Sequence, residues 1–374
     1  MQRVLQVVNI MDRGGVETLL MNIYRNIDRE QVQFDFLTHP FSDSANNSQE
    51  YEEEIISLGG KVYKAPSYTH NPFSYTKFIS RFFQAHPEYT VVHGHNLDAA
   101  ALSYMRVAKQ HGRFLIAHSH NTHDRGSALK GAVLRIVHSV LRRYPDCFYA
   151  CSNEAAEFAF GKRIASNSCE IVYNGIDVNN YRIDQRLHEE LKGELFPGEN
   201  GPVFINVGRL AEQKNQSFLL DVFAEILAND ESALLLLIGK GPMKNILENR
   251  LRDLHIGDRV RMLGSVEDVP TYLRAADVFL FPSLYEGLPL AAVEAQAAGL
   301  PTLISSSVPS MVQCSDVVRT LDLKSGPRVW SDTALQMYED NREKRMDCVD
   351  QVRDAGFDIT TTARKLVTMY TRHT

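Results

Sequence analysis

The stretch "DVFLFPSLYEGLPLAAVEAQAAGLPTLIS", residues 277–305, alternates two kinds of order. "VFLFPS" and "PTLIS" are short apolar runs of the kind that form strands covered on both faces. Between them, "LAAVEAQAAG" reads as a helix with Gly299 as its stop, entered through the loop "LYEGLP". Strand, loop, helix and strand in this order make a βαβ unit, whose strands run parallel. The stretch also poses a chemical question. Glu286 on the loop and Glu294, about two turns into the helix, stand among small and apolar residues, where an unused carboxylate is costly.

The same alternation extends in both directions. "VLQVVNI", "FDFLTH", "VVHGH", "FLIAHSH", "CFYACS" and "CEIVYN" read as strands in the first half, and "VFINVG", "ALLLLIG", "VRMLG", "VFLFPS" and "PTLIS" in the second. Helix-like stretches such as 16–27, 98–111, 215–228, 243–254 and 290–298 separate them. Each half therefore reads as its own doubly wound α/β unit. The least patterned stretch is 178–202, ending "LFPGENGP"; its loop chemistry places a hinge there, with domains over 1–178 and 179–356. Two such units create a crevice at the carboxyl ends of their strands, where ligands bind.

Composition narrows the function classes. The 374 residues are 44% hydrophobic and 23% charged, which fits a soluble globular chain of two domains. A net charge of −6 supplies no general drive towards nucleic acid. Five cysteines without CxxC spacing point to reduced thiols in the cytoplasm. The amino-terminal apolar run is too short for a signal peptide, and no stretch approaches the ~20 apolar residues of a membrane span.

The residues on loops that leave strands carry the chemistry. Gly14 and Gly15 follow the first strand and open a helix, whose N-terminus suits a phosphate or a sugar hydroxyl; a plain tight turn is the alternative. "VVHGHN" and "IAHSHNTHD" bring His93, His95, His118, His120, His123 and Asp124 to strand ends. Residues two apart share a face of a strand. Three readings stand: a metal site, one catalytic histidine with the others structural, or packing histidines. No downstream cluster completes a hydrolytic metal centre, so the second is preferred.

In the second half, Gly208 turns the chain so that Arg209 lies at a strand end, with Lys214 five residues on. Together the two cations could neutralise a diphosphate; ordinary surface cations are the alternative. Gly239 and Gly241 in "LIGKGP" form a second glycine-rich strand exit, without the full GxGxxG pattern. In the 277–305 stretch, N–H groups from Gly287 to Leu290, through Leu288 but not Pro289, face an anion at the helix start. One glutamate would hold sugar hydroxyls near the reaction, and the other the vicinal diol of a ribose; a helix-start charge and a buried salt-bridge partner are the alternative.

As a set, "GRLAEQK" and "YEGLPLAAVEA" resemble the retaining nucleotide-sugar glycosyltransferases of family 4, which have the GT-B fold of two Rossmann-like domains. The likeness extends to the Gly-Gly loop, the strand-end histidine, "IVYNGID" and the tail "GFDI…LVTMY". It implies that Arg209 and Lys214 bind the donor diphosphate and stabilise its leaving charge, so that no metal or other cofactor is required. It assigns Glu294 to the ribose, Glu286 to the donor sugar, and Gly14 and Gly15 to the loop near the phosphates and acceptor. Counted along the strand from Gly112, His120 is preferred over His118 as the active-site histidine. The resemblance also implies that the tail helix, 357–374, packs back on the first domain. Relatives commonly carry a glutamate soon after the proline equivalent to Pro309, where this chain has Ser310, Met311 and Val312.

The resulting expectation is a cytoplasmic, metal-independent, retaining hexosyltransferase. It takes a nucleotide-sugar, a UDP-sugar, and transfers the sugar to a glycan or lipid-linked acceptor in capsule or exopolysaccharide synthesis. The basic amphipathic segment 125–146 suggests peripheral contact with an anionic membrane at its inner face; a core helix with a solvated basic edge is the alternative. The rival functions are a sugar-nucleotide epimerase on the same architecture, a metal-dependent hydrolase built on the histidines, and a non-catalytic sugar-nucleotide-binding protein.

Overall fold

Two parallel sheets organise the chain. The computed structural model describes residues 1–12, 15–39, 49–120 and 128–373. By contacts the chain divides into two compact units, Met1–Gly175 with Ile359–Thr374, and Ile176–Asp358. Both are Rossmann-like, in keeping with GT-B architecture.

The amino-terminal unit contains β1 (Gln2–Val8), β2 (Val32–Thr38), β3 (Val62–Lys64), β4 (Val91–Gly94), β5 (Phe114–Ser119), β6 (Cys147–Ala150) and β7 (Cys169–Ile171). Their spatial order is β3-β2-β1-β4-β5-β6-β7, and every pairing is parallel. Strand order reverses between β1 and β4, the place where the helices on either side diverge and leave a crevice. Val4 and Val8 face a core completed by the helices Gly15–Asn26 and Ile359–Arg372. Leu5 and Val7 face the helices Pro72–Ala85 and Ala99–Gln110. The last helix joins the first core through Ile359, Ala363, Leu366, Val367 and Tyr370, the apolar stripe of an amphipathic helix.

The carboxy-terminal unit contains β8 (Val203–Val207), β9 (Leu234–Ile238), β10 (Val260–Gly264), β11 (Val278–Phe281), β12 (Thr302–Ser305) and β13 (Val318–Leu321). The order is β10-β9-β8-β11-β12-β13, again all parallel, with the reversal between β8 and β11. The β8–β11 ladder comprises only Phe204↔Val278 and Ile205↔Phe279 before the strands part. At that point the buried Asn206 amide donates to the Leu280 carbonyl at 2.7 Å, replacing the missing ladder bond.

Two expectations change. The 178–202 stretch is not simply loop: it contains a 3-10 turn, Val178–Tyr181, and a helix, Gln185–Leu195. Asp184 caps that helix by accepting the Leu187 N–H at 2.8 Å. Its charged surface hides the periodicity because His188 is the one buried residue along it. Glu294 is the fifth residue of the helix Leu290–Ala297, so it lies just over one turn in rather than two.

Candidate active site

The loops that leave β8 and β11, the strands flanking the reversal, are locked together. Lys214 ends the short 3-10 turn Glu212–Lys214, and its Nζ lies 2.7 Å from Glu286 Oε1. Gln213 Nε2 donates to Glu286 Oε2 at 3.2 Å and to the Tyr285 carbonyl at 2.9 Å. The Leu284 N–H donates to the Gln213 carbonyl, and Asn215 Nδ2 to the Pro282 carbonyl. Asn215 adopts φ 54°, a left-handed conformation that asparagine tolerates. The Lys214 ammonium also lies 4.6 Å from the Phe281 ring centroid, a cation–π contact. The Lys214 and Glu286 side chains are only 15% and 6% exposed, so this is a nearly buried ion pair set in place before any ligand arrives.

Arg209 differs. It is exposed, and among the described residues its guanidinium makes no ion pair, while Gln216 Nε2 fixes its backbone by donating to its carbonyl at 3.0 Å. Glycine is required at 239 and 241 by close approach of the two strand exits. A Cβ at Gly239, where φ is 142°, would run into the Gly208 carbonyl oxygen, and one at Gly241 into that of Leu210. The Lys214 stem in turn covers Gly208, with Cε 3.3 Å from where a Cβ would stand.

At the helix Leu290–Ala297, Pro289 occupies the N-cap without a side-chain cap. Leu290 already donates its N–H to the Leu288 carbonyl at 3.1 Å, so it is not free for an anion as expected. A Cβ at Gly287 would meet nothing within 4 Å, which leaves that backbone open to approach. Glu294 is half-buried, and desolvation pushes its carboxyl above the ordinary range, opposed by a hydrogen bond from Tyr181. The helix is anchored by Gln296, which donates to Ala292 and Val312 carbonyls and accepts from the Cys314 N–H. Buried Arg345 holds the carbonyls of Leu273, Ala276 and Ala298, the carboxyl ends of two helices.

In the amino-terminal unit, Gly15 starts the helix Gly15–Asn26, and a Cβ there would meet nothing within 4 Å. Gly14, His123 and Asp124 lie outside the described residues. The other four histidines cluster. His93, His95 and His118 are buried, and His95 Nδ1 lies 3.0 Å from His120 Nε2. Burial pushes all four below the ordinary histidine range, His120 to about 3, so they are neutral at neutral pH. His93, His95 and His118 offer nitrogens within 4.8 Å of one another. A tetrahedral site with ~2.0–2.1 Å bonds needs nitrogens about 3.4 Å apart. His95 already uses both nitrogens in hydrogen bonds, and the His93 and His118 rings stack at 13°, so their lone pairs run side by side. As arranged, the rings pack rather than converge.

Residues 13–180 match the family described as Glycosyltransferase Family 4, and residues 188–354 that described as Glycosyl transferases group 1. EpsF of Bacillus subtilis (strain 168), a glycosyltransferase in name, is 31% identical over 99% of this chain and 96% of its own length. The chain belongs to the glycosyltransferases. This glycosyltransferase is also 24% identical to CapH of Staphylococcus aureus, a capsular polysaccharide biosynthesis glycosyltransferase, over 99% of both chains. Its fold matches that of HepE from Anabaena, solved with UDP, at a TM-score of 0.77 and 18% identity over the whole of both chains. It is thus a GT-B glycosyltransferase related to bacterial enzymes of polysaccharide biosynthesis.

Lys214, Glu286 and Glu294 are legible in the sequence of this glycosyltransferase, whereas Gln213 on Glu286, Tyr181 on Glu294 and Gln296 within the Glu294 helix are not. Gln213, Tyr181 and Gln296 carry no spacing signal, because each acts on a residue remote in sequence or through backbone atoms.

Proposed function

We propose that this enzyme transfers a sugar from a UDP-sugar to a growing polysaccharide or lipid-linked glycan, with retention at the anomeric carbon and without a metal. The bond from the anomeric carbon to the diphosphate breaks and a bond to the acceptor oxygen forms. The acceptor proton leaves with the diphosphate, and UDP is released. Arg209 and Lys214 neutralise the leaving diphosphate. Glu286, oriented by Lys214 and Gln213, holds hydroxyls of the donor sugar, and Glu294 holds the ribose. In this reading the backbone at Gly287 and Leu288 receives phosphate or sugar, Gly14 and Gly15 belong by the family pattern to the loop near the phosphates and acceptor, and His120 contacts the reacting sugar.

The observation that carries this reading is the Lys214–Glu286 pair at 2.7 Å, on loops from the two strands that flank the reversal, with the exposed Arg209, unpaired among the described residues, at the exit of β8. HepE, of the same fold, was solved with UDP, which supports a uridine nucleotide. The name of CapH supports a polysaccharide product.

A thermal-shift screen with UDP, GDP, ADP and their common sugars tests the donor. A ligand present at 100 times its Kd adds about 2.7 kcal/mol of apparent stability. Uridine compounds should raise the melting temperature most, and activity should persist with a chelator. Stabilisation by no nucleotide would sink the donor reading. An altered nucleotide-sugar formed without acceptor would identify an epimerase instead.

We further propose that the enzyme works in the cytoplasm on the inner face of the cell membrane. The helix Ala128–Leu141 exposes Val133 (54%) and Ile136 (65%) beside the exposed Arg135, while Val137 and Leu141 are buried. Among the described residues no helix is long and apolar enough to cross a membrane. Salt-sensitive co-sedimentation with phosphatidylglycerol vesicles, lost in Val133→Ser/Ile136→Ser, is the expected result.

A further inference from the structure

A doubly wound sheet needs no polar side chains at its centre, yet this one buries Gln6 on β1, His93 and His95 at β4, and His118 on β5, under Tyr370 of the last helix. Four of these five form a continuous chain of hydrogen bonds that ends at His120. Tyr370 Oη is 2.6 Å from His93 Nδ1 and 3.4 Å from Gln6 Nε2. Gln6 Oε1 is 2.9 Å from His95 Nε2, and His95 Nδ1 is 3.0 Å from His120 Nε2.

The donor at each link follows from the one before. An N–H donating to oxygen keeps about 2.7–3.2 Å, whereas an O–H donor comes closer. The 2.6 Å separation therefore makes Tyr370 the donor to His93 Nδ1. Tyr370 has no second proton to give, so the Gln6 group that faces its oxygen, in a long contact of 3.4 Å, is the amide nitrogen, and the Gln6 carbonyl oxygen faces His95. A carbonyl only accepts, so His95 carries its proton on Nε2, and its Nδ1 is an acceptor. His120 must donate to it, and so carries its proton on Nε2. His120 Nδ1 remains as a bare lone pair, buried and, among the described residues, without a partner. Because burial keeps His120 neutral, no second proton fills it.

We propose that Tyr370, Gln6 and His95 are positioning residues for the transfer reaction: they hold His120 in the Nε2–H tautomer, so that it meets a sugar hydroxyl as an acceptor and not as a donor. This rests on the reading that His120 contacts the reacting sugar. The last helix of the chain thereby sets the chemistry of a strand end more than 200 residues away in sequence, a separation shown by the 277 residues between the bonded His93 and Tyr370. No proton is transferred along the chain; each bond only fixes the orientation and tautomer of the next ring. His118 is outside it, with both nitrogens unpartnered among the described residues and its ring 4.0 Å from that of His120, where it closes the packing around it.

Nitrogen-15 NMR of the intact protein labelled at histidine reads which ring nitrogen carries each proton, with His120 assigned by the resonance lost in His120→Asn. His95 and His120 should both appear as Nε2–H tautomers. Tyr370→Phe and Gln6→Leu should each redistribute the His120 tautomer and lower kcat about tenfold while the donor KM moves less. A wild-type His120 protonated on Nδ1 would overturn the proposal, and that measurement needs no variant to fold. So would an unchanged His120 tautomer in both folded variants. Wild-type turnover by His120→Ala, with the tautomers as described, would instead remove the contact between His120 and the sugar. Failure of uridine nucleotides to stabilise the protein would remove the donor reading, independently of the histidine spectra.

Discussion

Arg209 and Lys214 are both cations at one strand exit, yet their surroundings separate their contributions to stability and to catalysis. Arg209 is exposed and unpaired among the described residues, so Arg209→Ala should leave the free energy of unfolding within about 0.5 kcal/mol of wild type. Its turnover should fall by more than ~100-fold through lost stabilisation of the leaving group. Lys214→Ala should lose turnover comparably and also stability, because it strands a Glu286 side chain that is 6% exposed. Equal stability in the two variants, or near-wild-type rates in either, would contradict these roles. Glu294 makes the opposite trade. Its carboxyl is pushed up by desolvation, so ionising it costs more in the folded chain than in the unfolded one and the charge subtracts from stability. Glu294→Gln should therefore raise the melting temperature of the free enzyme while weakening UDP binding by roughly 10- to 150-fold, the range of a hydrogen bond to a charged group. Calorimetry that found tighter or unchanged UDP binding would remove the ribose role.

Among the elements, the helix Leu290–Ala297 depends on Arg345 for its carboxyl end. The guanidinium is pushed down to about 10 by burial, yet it remains charged at neutral pH and donates to three carbonyls from two helix ends. Arg345→Met should destabilise the carboxy-terminal unit by on the order of 3 kcal/mol, since several buried acceptors lose their donor. A urea titration showing less than ~1 kcal/mol would mean that water or neighbouring groups replace it. The main strands of both sheets were legible because their apolar runs are continuous. The edge strands β3 and β13 were not: "VYK" and "VRTL" are short and partly exposed, as edge strands tend to be, and so carry little apolar signal. The helix Gln185–Leu195 escaped for a related reason, with one buried residue along it.

At the scale of the whole molecule, the two units should respond differently to acid. The amino-terminal unit buries His93, His95, His118 and His120, all with folded-state values below the ~6.5 of an unfolded histidine. Below about pH 6.5 the unfolded chain binds protons that the folded one does not, so stability falls as pH falls. For His120 the window runs from about 6.5 down to about 3, and the loss approaches ~1.4 kcal/mol per pH unit. The carboxy-terminal unit has only His188 and His255. Hydrogen exchange at pH 7 and pH 5 should therefore show protection lost first in β1, β4 and β5. Equal loss in both units would remove the histidine cluster as the cause.

The sequence by itself determined the alternation of strands and helices, the parallel pairing, and the charged residues at strand exits, because these depend on periodicity and on neighbours a few residues apart. It also placed Lys214 and Glu286 in one family pattern, 72 residues apart. Tertiary structure alone decided their partners. That Lys214 rests on Glu286 and Phe281, that Tyr181 meets Glu294, and that Tyr370 reaches Gln6 and His93 all follow from where strand order reverses and where the last helix packs. The underlying reason is distance: a hydrogen bond's direction and a carboxylate's desolvation depend on atoms within a few ångströms, and in this fold those atoms come from opposite ends of the chain.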